Sequence, residues 1–185
     1  MDNPQGKALS LDYLAGLVEG EGCFTLQVQE KRGPKVVVIP RFQIAMTDLL
    51  LIEDVSATLK HLGIGHHVGN YQPKGPRKPV KHIAITGLKR LKAFTDILAP
   101  HLQGEKKMDA EILQALVTSR LAQSDRADYT EREVELVNAL SERHYAKRKV
   151  TLRPAGRYQP VGKRFSLAIE NPSETTRRDT AANAV

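Results

Sequence analysis

Residues 14–22 read LAGLVEGEG, from Leu14 to Gly22, and the rest of the chain arranges itself about them. On a helical wheel Leu11, Leu14, Leu17 and Val18 share one apolar face, while Tyr13, Gly16 and Gly20 form another. A helix with two such faces is buried twice. Each glycine costs about 1 kcal/mol of helix propensity, a cost that makes sense where a missing Cβ lets a second helix come close. Glu19 and Glu21 fall at the C-terminal end, where the helix dipole disfavours a carboxylate unless a cation is near. Gly20 and Gly22 suit a helix exit through the left-handed region. A plainer reading fits the same residues equally well: an amphipathic helix with a glycine stop and two solvated acids.

Working outward, Ser10 is the expected N-cap of this helix, behind a polar lead. Past Gly22 the pattern alternates, with Phe24, Leu26 and Val28 on one side and Cys23, Thr25, Gln27 and Gln29 on the other, as in a half-buried strand. A turn at Lys31, Arg32, Gly33, Pro34 and Lys35 returns the chain in a second strand to about Met46, which points Arg41 and Gln43 away from Phe42 and Ile44. A helix capped at Thr47 or Asp48 carries the stripe Leu49, Ile52, Val55, Leu59 and Leu62. The hairpin theme then repeats, with strands at about His66–Gln72 and Val80–Thr86 around a Pro/Gly-rich loop. Gly87 opens a helix that stops before Pro100. Further helices are expected over roughly Lys107–Ala122 and from Thr130, where Thr130 and Glu133 form a capping box. The order predicts an α+β domain, a four-stranded antiparallel sheet with helices on one face.

The motif together with the strand-like CFTLQVQ that follows it resembles the signature of the LAGLIDADG homing endonucleases. Seven of nine positions agree in letter or in acidic character. The resemblance implies an αββαββα domain of the single-motif type, which pairs as a homodimer through the signature helices at Tyr13, Gly16 and Gly20. It further implies a metal-dependent double-strand DNA endonuclease, intron- or intein-derived, that cuts a long pseudo-palindromic site with a short 3′ stagger. In that reading Glu21, with Gly20 beside it, matches the metal-binding position for Mg2+, with Mn2+ as a substitute, because hard cations prefer carboxylate oxygen. Glu19 matches the first acidic position, which is less often given that role. KKMDA puts Lys106 at the family's basic position, with Lys107 the alternative. Met46 stands where relatives carry a polar, water-positioning residue. LAPHLQGE, at Leu98–Glu105, looks like a degenerate second copy but carries a helix-stopping proline, so one motif remains.

Charge placement points to the same partner. Lys plus Arg total 28 against 21 acids, and from Val55 to Thr95 there is no Asp or Glu at all. A basic chain favours a polyanion. The sheet face opposite the core is expected to carry Thr25, Gln27, Gln29, Arg41, Gln43, His66, Asn70, Gln72, His82 and Thr86, side chains of the kind that read base edges in a major groove. Around it Lys31, Arg32, Lys35, Lys74, Arg77, Lys78 and Lys81 would hold phosphates. An ordinary solvated sheet face is the plainer alternative. Residues 1–143 read as one domain, 144–170 as a basic extension that includes Lys147, Arg148 and Lys149, and 171–185 as a disordered tail. No apolar run spans a bilayer and no signal peptide opens the chain, so a soluble intracellular protein without membrane partners is expected. The single cysteine, Cys23, excludes an internal disulfide and a Cys-cluster zinc site. Beside the nuclease stand two further classes: a LAGLIDADG-fold DNA-binding regulator or RNA maturase without catalysis, and an unrelated basic RNA-binding protein. The latter is weakened by the absence of tryptophan and the scarcity of other aromatics.

Overall fold

The computed structural model describes residues 7–30, 36–72, 76, 78–123, 128–144, 150–154 and 165–169. The chain divides into two compact units, Met1–Ala127 and Asp128–Val185. In the first, α1 (Leu11–Glu21) leads directly into β1 (Gly22–Glu30) and β2 (Val36–Met46). Then come α2 (Leu49–His61), β3 (His67–Tyr71), β4 (Val80–Thr86), α3 (Leu88–Leu98), a 3-10 turn at Ala99–His101 and α4 (Gly104–Leu121). The four strands form one antiparallel sheet in the order β1-β2-β4-β3. In the second unit α5 (Glu131–His144) precedes an antiparallel ribbon of β5 (Val150–Pro154) and β6 (Phe165–Ile169).

Period-two alternation sorts the sheet. Phe24 and Leu26 of β1, Phe42 and Ile44 of β2, and Ile83 and Ile85 of β4 are buried on the side the helices cover. Phe24, Phe42 and Phe94 of α3 stack at its centre, with ring centroids 5.0, 4.5 and 6.3 Å apart. Tilted aromatic contacts at such separations add to simple burial. Caps fall where the sequence puts them. Ser10 accepts from the Tyr13 N–H, Asp48 accepts from the Leu51 N–H, and Thr130 and Glu133 exchange the two bonds of a capping box. The polar lead is tied to α2, because Leu9 N–H donates to Thr58 Oγ1 and Lys7 N–H to Asp54.

Two local expectations are corrected. Gly22 does not leave α1 through the left-handed region: its φ is −77° and its ψ 150°, ordinary extended backbone. Glycine is needed there for space, since a Cβ would sit 2.6 Å from the Val18 carbonyl oxygen and 2.9 Å from Val18 Cα. The chain turns from helix to strand so tightly that no side chain fits. Helix α4 begins at Gly104 rather than Lys107. Gly104 has φ +53°, a conformation that favours glycine, and the helix starts immediately after the turn.

Candidate nuclease site and nucleic-acid interface

The end of α1 brings together residues that lie far apart in sequence. Lys106, in the first turn of α4, donates from Nζ to the Gly22 carbonyl oxygen at 2.5 Å, across 84 residues. Of the two candidate lysines, Lys106 is the one held at the motif; Lys107 is exposed. Glu19 accepts a hydrogen bond from the Gln103 N–H. Asp12, near the other end of α1, meets His101 Nδ1 at 2.8 Å. Glu21 is exposed and has no hydrogen bond or ion pair among the described residues. The two motif acids therefore differ. One is spent on the protein, and one is free.

Cys23 is half-buried beside this point. Burial pushes its thiol above the usual range, partly offset by the Lys106 ammonium and reinforced by Asp109. The shift opposes thiolate formation, in keeping with a packing residue rather than a nucleophile. Met46 shares the helix-covered side with Phe42 and Ile44, while Gln43 lies on the opposite face. On α1, Tyr13 is 53% exposed, and a Cβ built on Gly16 or Gly20 would meet nothing within 4 Å. That face of the helix is open in the single chain.

The sheet face away from the helices is set by register. One row runs Thr25, Arg41, Thr86 across β1, β2 and β4. The next runs Cys23, Gln43, Ala84, His67, and the third Ala45, His82, Gly69. Gln27 extends the face beside Ile39. Arg41 occupies the centre, and its Nε is buried without a hydrogen-bond partner. His82 lies over Gly69, where a Cβ would come within 2.3 Å of the ring, and its ring centroid is 6.2 Å from that of His67.

Three expected members of this face, Asn70, His66 and Gln72, are not on it, and Lys81, expected beside it, is turned to α2. In β3, Val68 pairs with the fully buried Ile83 and Asn70 pairs with Lys81, so Val68 and Asn70 take the helix-side parity. Lys81 donates to Glu53 of α2 at 2.7 Å. His66 precedes the strand and is held by α2 and its exit: Nε2 meets Ser56 Oγ at 2.7 Å and Nδ1 meets the Ile64 carbonyl at 3.0 Å. A carbonyl can only accept, so Nδ1 carries the proton and, in the neutral ring, Nε2 accepts from the serine. Gln72 lies just past the end of β3. The residues that β3 does place on the open face are His67, Gly69 and Tyr71, which sequence reasoning missed. Val68 is the available signal, since the lone aliphatic residue in HHVGNYQ marks the inward parity. Lys78 is exposed in the segment before β4. Gln29 pairs in register with Val37. Lys31, Arg32, Lys35, Lys74, Arg77, Lys147, Arg148 and Lys149 lie outside the described residues, as do the tail 171–185 and much of 144–170.

The chain runs from the motif helix straight into a hairpin and repeats helix and hairpin, and its residues 8–99 match the LAGLIDADG-like domain family. Those residues place the chain in the LAGLIDADG family. The solved structure of the homing endonuclease I-TnaI is similar at a TM-score of 0.55 and 20% identity, over 74% of this chain and 88% of that one. The archaeal intron-encoded homing endonuclease I-Vdi141I, complexed with DNA, is similar at 0.51 and 23% identity, over 71% and 82%. I-SmaMI, bound to cleaved DNA, is similar at 0.56 and 16% identity, over 86% of this chain but 54% of its own. At these identities the likeness is one of fold. Comparison with curated protein sequences finds no match. Among the described residues no helix of this LAGLIDADG protein is long and apolar enough to cross a membrane.

Proposed function

We propose that the protein is a divalent-metal-dependent double-strand DNA endonuclease that acts inside the cell as a homodimer on a long pseudo-palindromic site. The observation that carries this reading is Glu21, exposed and without a partner at the motif's end, one residue before the carbonyl that holds Lys106. A bare carboxylate at a helix C-terminus is disfavoured by the dipole and stabilised by a cation. Among the described residues no three acidic, histidine or cysteine side chains gather to hold a metal within one chain. A site assembled from the Glu21 of each of two copies fits that donor set, with the Gly20 carbonyl as a further hard oxygen ligand for Mg2+ or Mn2+. Such an ion, when bound, would supply water activation and charge stabilisation of the leaving oxygen in phosphodiester hydrolysis. Lys106 contributes a fixed positive charge where charge develops on the phosphate.

The open face of α1 supports the pairing. Tyr13, Gly16 and Gly20 let two copies of the helix approach closely, and a two-fold reader matches a two-fold site. Thr25, Gln27, Arg41, Gln43, His67, His82 and Thr86, which the register puts on one face, have donors and acceptors of the kind that read base edges in a major groove. The basic loops and Lys147, Arg148 and Lys149 supply positive charge of the kind that contacts backbone phosphates.

The experiment is incubation of purified protein with magnesium and a library of duplex targets, with sequencing of the ends produced. Cuts on both strands within one long, nearly palindromic sequence are expected, from a protein that sediments as a dimer. Tight duplex binding without cutting in magnesium or manganese would replace this reading with the regulator or maturase. A monomer at micromolar concentration would remove the shared metal site.

A further inference from the structure

Helix α4 begins without a side-chain cap of its own. Gln103 is its N-cap residue, but the Gln103 side chain makes no capping bond, and Gly104 enters the helix at φ +53°. In a capping box, the third helical residue is Glu or Gln and reaches back to the N-cap N–H. Here the third residue is Lys106, which cannot accept, and the carboxylate comes instead from Glu19 of α1. A carboxylate in that place also meets the positive end of the α4 dipole. The substitution frees the third position to carry a cation, and Lys106 points back to α1 at the Gly22 carbonyl. Glu19 and Lys106 thus form two reciprocal ties between α1 and the start of α4, one in each direction. Asp12 and His101 add a third tie farther along α1.

We propose that Glu19 is a positioning residue: by capping α4 from outside, it sets the register in which Lys106 reaches the end of the motif. It acts as a hydrogen-bond acceptor and not as a metal ligand, so the two motif acids have separate duties. The proposal rests on the nuclease reading for its consequence in catalysis, and on the hydrogen bonds alone for its structural content.

The test compares Glu19→Ala, Glu19→Gln and Lys106→Met in the full-length protein. Glutamine keeps an oxygen that can accept from Gln103 N–H and loses only the charge. Single-turnover cleavage by Glu19→Ala should fall up to about a hundredfold, as misplacement of a catalytic group does, with DNA affinity unchanged. Glu19→Gln should restore most of the rate, and Glu19→Ala should have no further effect once Lys106 is methionine. Glutamine as inactive as alanine, or independent effects of the two sites, would overturn the proposal. A second readout needs no DNA: the 13C shift of the Gly22 carbonyl, which reports the Lys106 bond. Glu19→Ala should move it to the Lys106→Met value, and Glu19→Gln should leave it in place. A carbonyl shift unmoved by Glu19→Ala would refute the positioning role whether or not the protein cuts DNA. If a protein that cuts nothing still shows the shift, only the nuclease reading fails. Should Glu19→Ala not fold, Glu19→Asp, one methylene too short for the same reach, takes its place.

Discussion

Three glycines at the motif make opposite demands, and substituting each with alanine separates them. At Gly22 a Cβ would fall 2.6 Å from the Val18 carbonyl oxygen and 2.9 Å from Val18 Cα and Cγ1. Two of those three atoms are backbone within α1 and cannot rotate aside, so either the helix end or the start of β1 must move. Overpacking of this kind costs about 1–3 kcal/mol. At Gly16 and Gly20 a Cβ meets nothing within 4 Å of the same chain, and both are helical. Alanine there should raise the helix's own stability, by up to about 1 kcal/mol in the helix interior. If two copies of α1 meet at that face, the same methyl groups should weaken the dimer. Urea melts at several protein concentrations distinguish the two effects, because only dimer stability depends on concentration. Gly22→Ala should lower the midpoint at every concentration. Gly16→Ala and Gly20→Ala should stabilise at high dilution and abolish the concentration dependence. A Gly22→Ala protein as stable as the parent would refute the close-approach argument, and Gly20→Ala with unaltered dimerisation would refute the proposed pairing through α1.

Other outcomes follow from single elements. Phe94→Ala removes one ring of the three-phenylalanine cluster and should cost about 3–5 kcal/mol in denaturant unfolding; a loss under about 1 kcal/mol would mean that the cluster is not the centre of the core. Asp96 accepts from Lys92 at 2.7 Å and from Gln114 Nε2 at 2.6 Å, and these bonds hold its carboxyl below the usual aspartate range. A depressed folded pKa means stability that is present above the unfolded value of 3.8 and disappears as pH falls through the folded one. Asp96→Asn should therefore flatten stability against pH on the acid side of that value, and an unchanged acid limb would contradict this. Replacing Lys147, Arg148 and Lys149 should reduce the slope of log affinity against log salt by about 0.9 for each phosphate that is no longer neutralised; an unchanged slope would leave that segment without a role on DNA.

The fold is legible in the sequence because its signals are local. The motif helix, both hairpins and the capping box at Thr130 each rest on spacing within a few residues. Where the outcome depends on partners distant in sequence, the residues alone mislead. HHVGNYQ offers a single aliphatic residue as its signal, and pairing with β4 is what settles that Val68, although 42% exposed, takes the helix-side parity and His67 and Tyr71 the other. Lys81 has the composition of a phosphate contact and instead pairs with Glu53. His66 is satisfied by α2 and its exit. The pattern marks Gly22 as a glycine position, but for backbone freedom, whereas the structure requires it for space. The motif sets Glu21 apart from Glu19, but what Glu19 does cannot be read from it, since its acceptor role is fixed by an N–H 84 residues away.

The most direct measurement of the central claim is cleavage and binding of the selected duplex by Glu21→Gln, which keeps the shape and polarity of the side chain and removes the charge that would hold a metal. Glu21 has no partner among the described residues, so folding and the Lys106 bond should be unaffected. The account predicts that cleavage in magnesium is abolished on both strands while metal-free binding is kept or improved, because two acids are removed from beside the phosphate backbone. Cleavage by Glu21→Gln at the parent rate would contradict it.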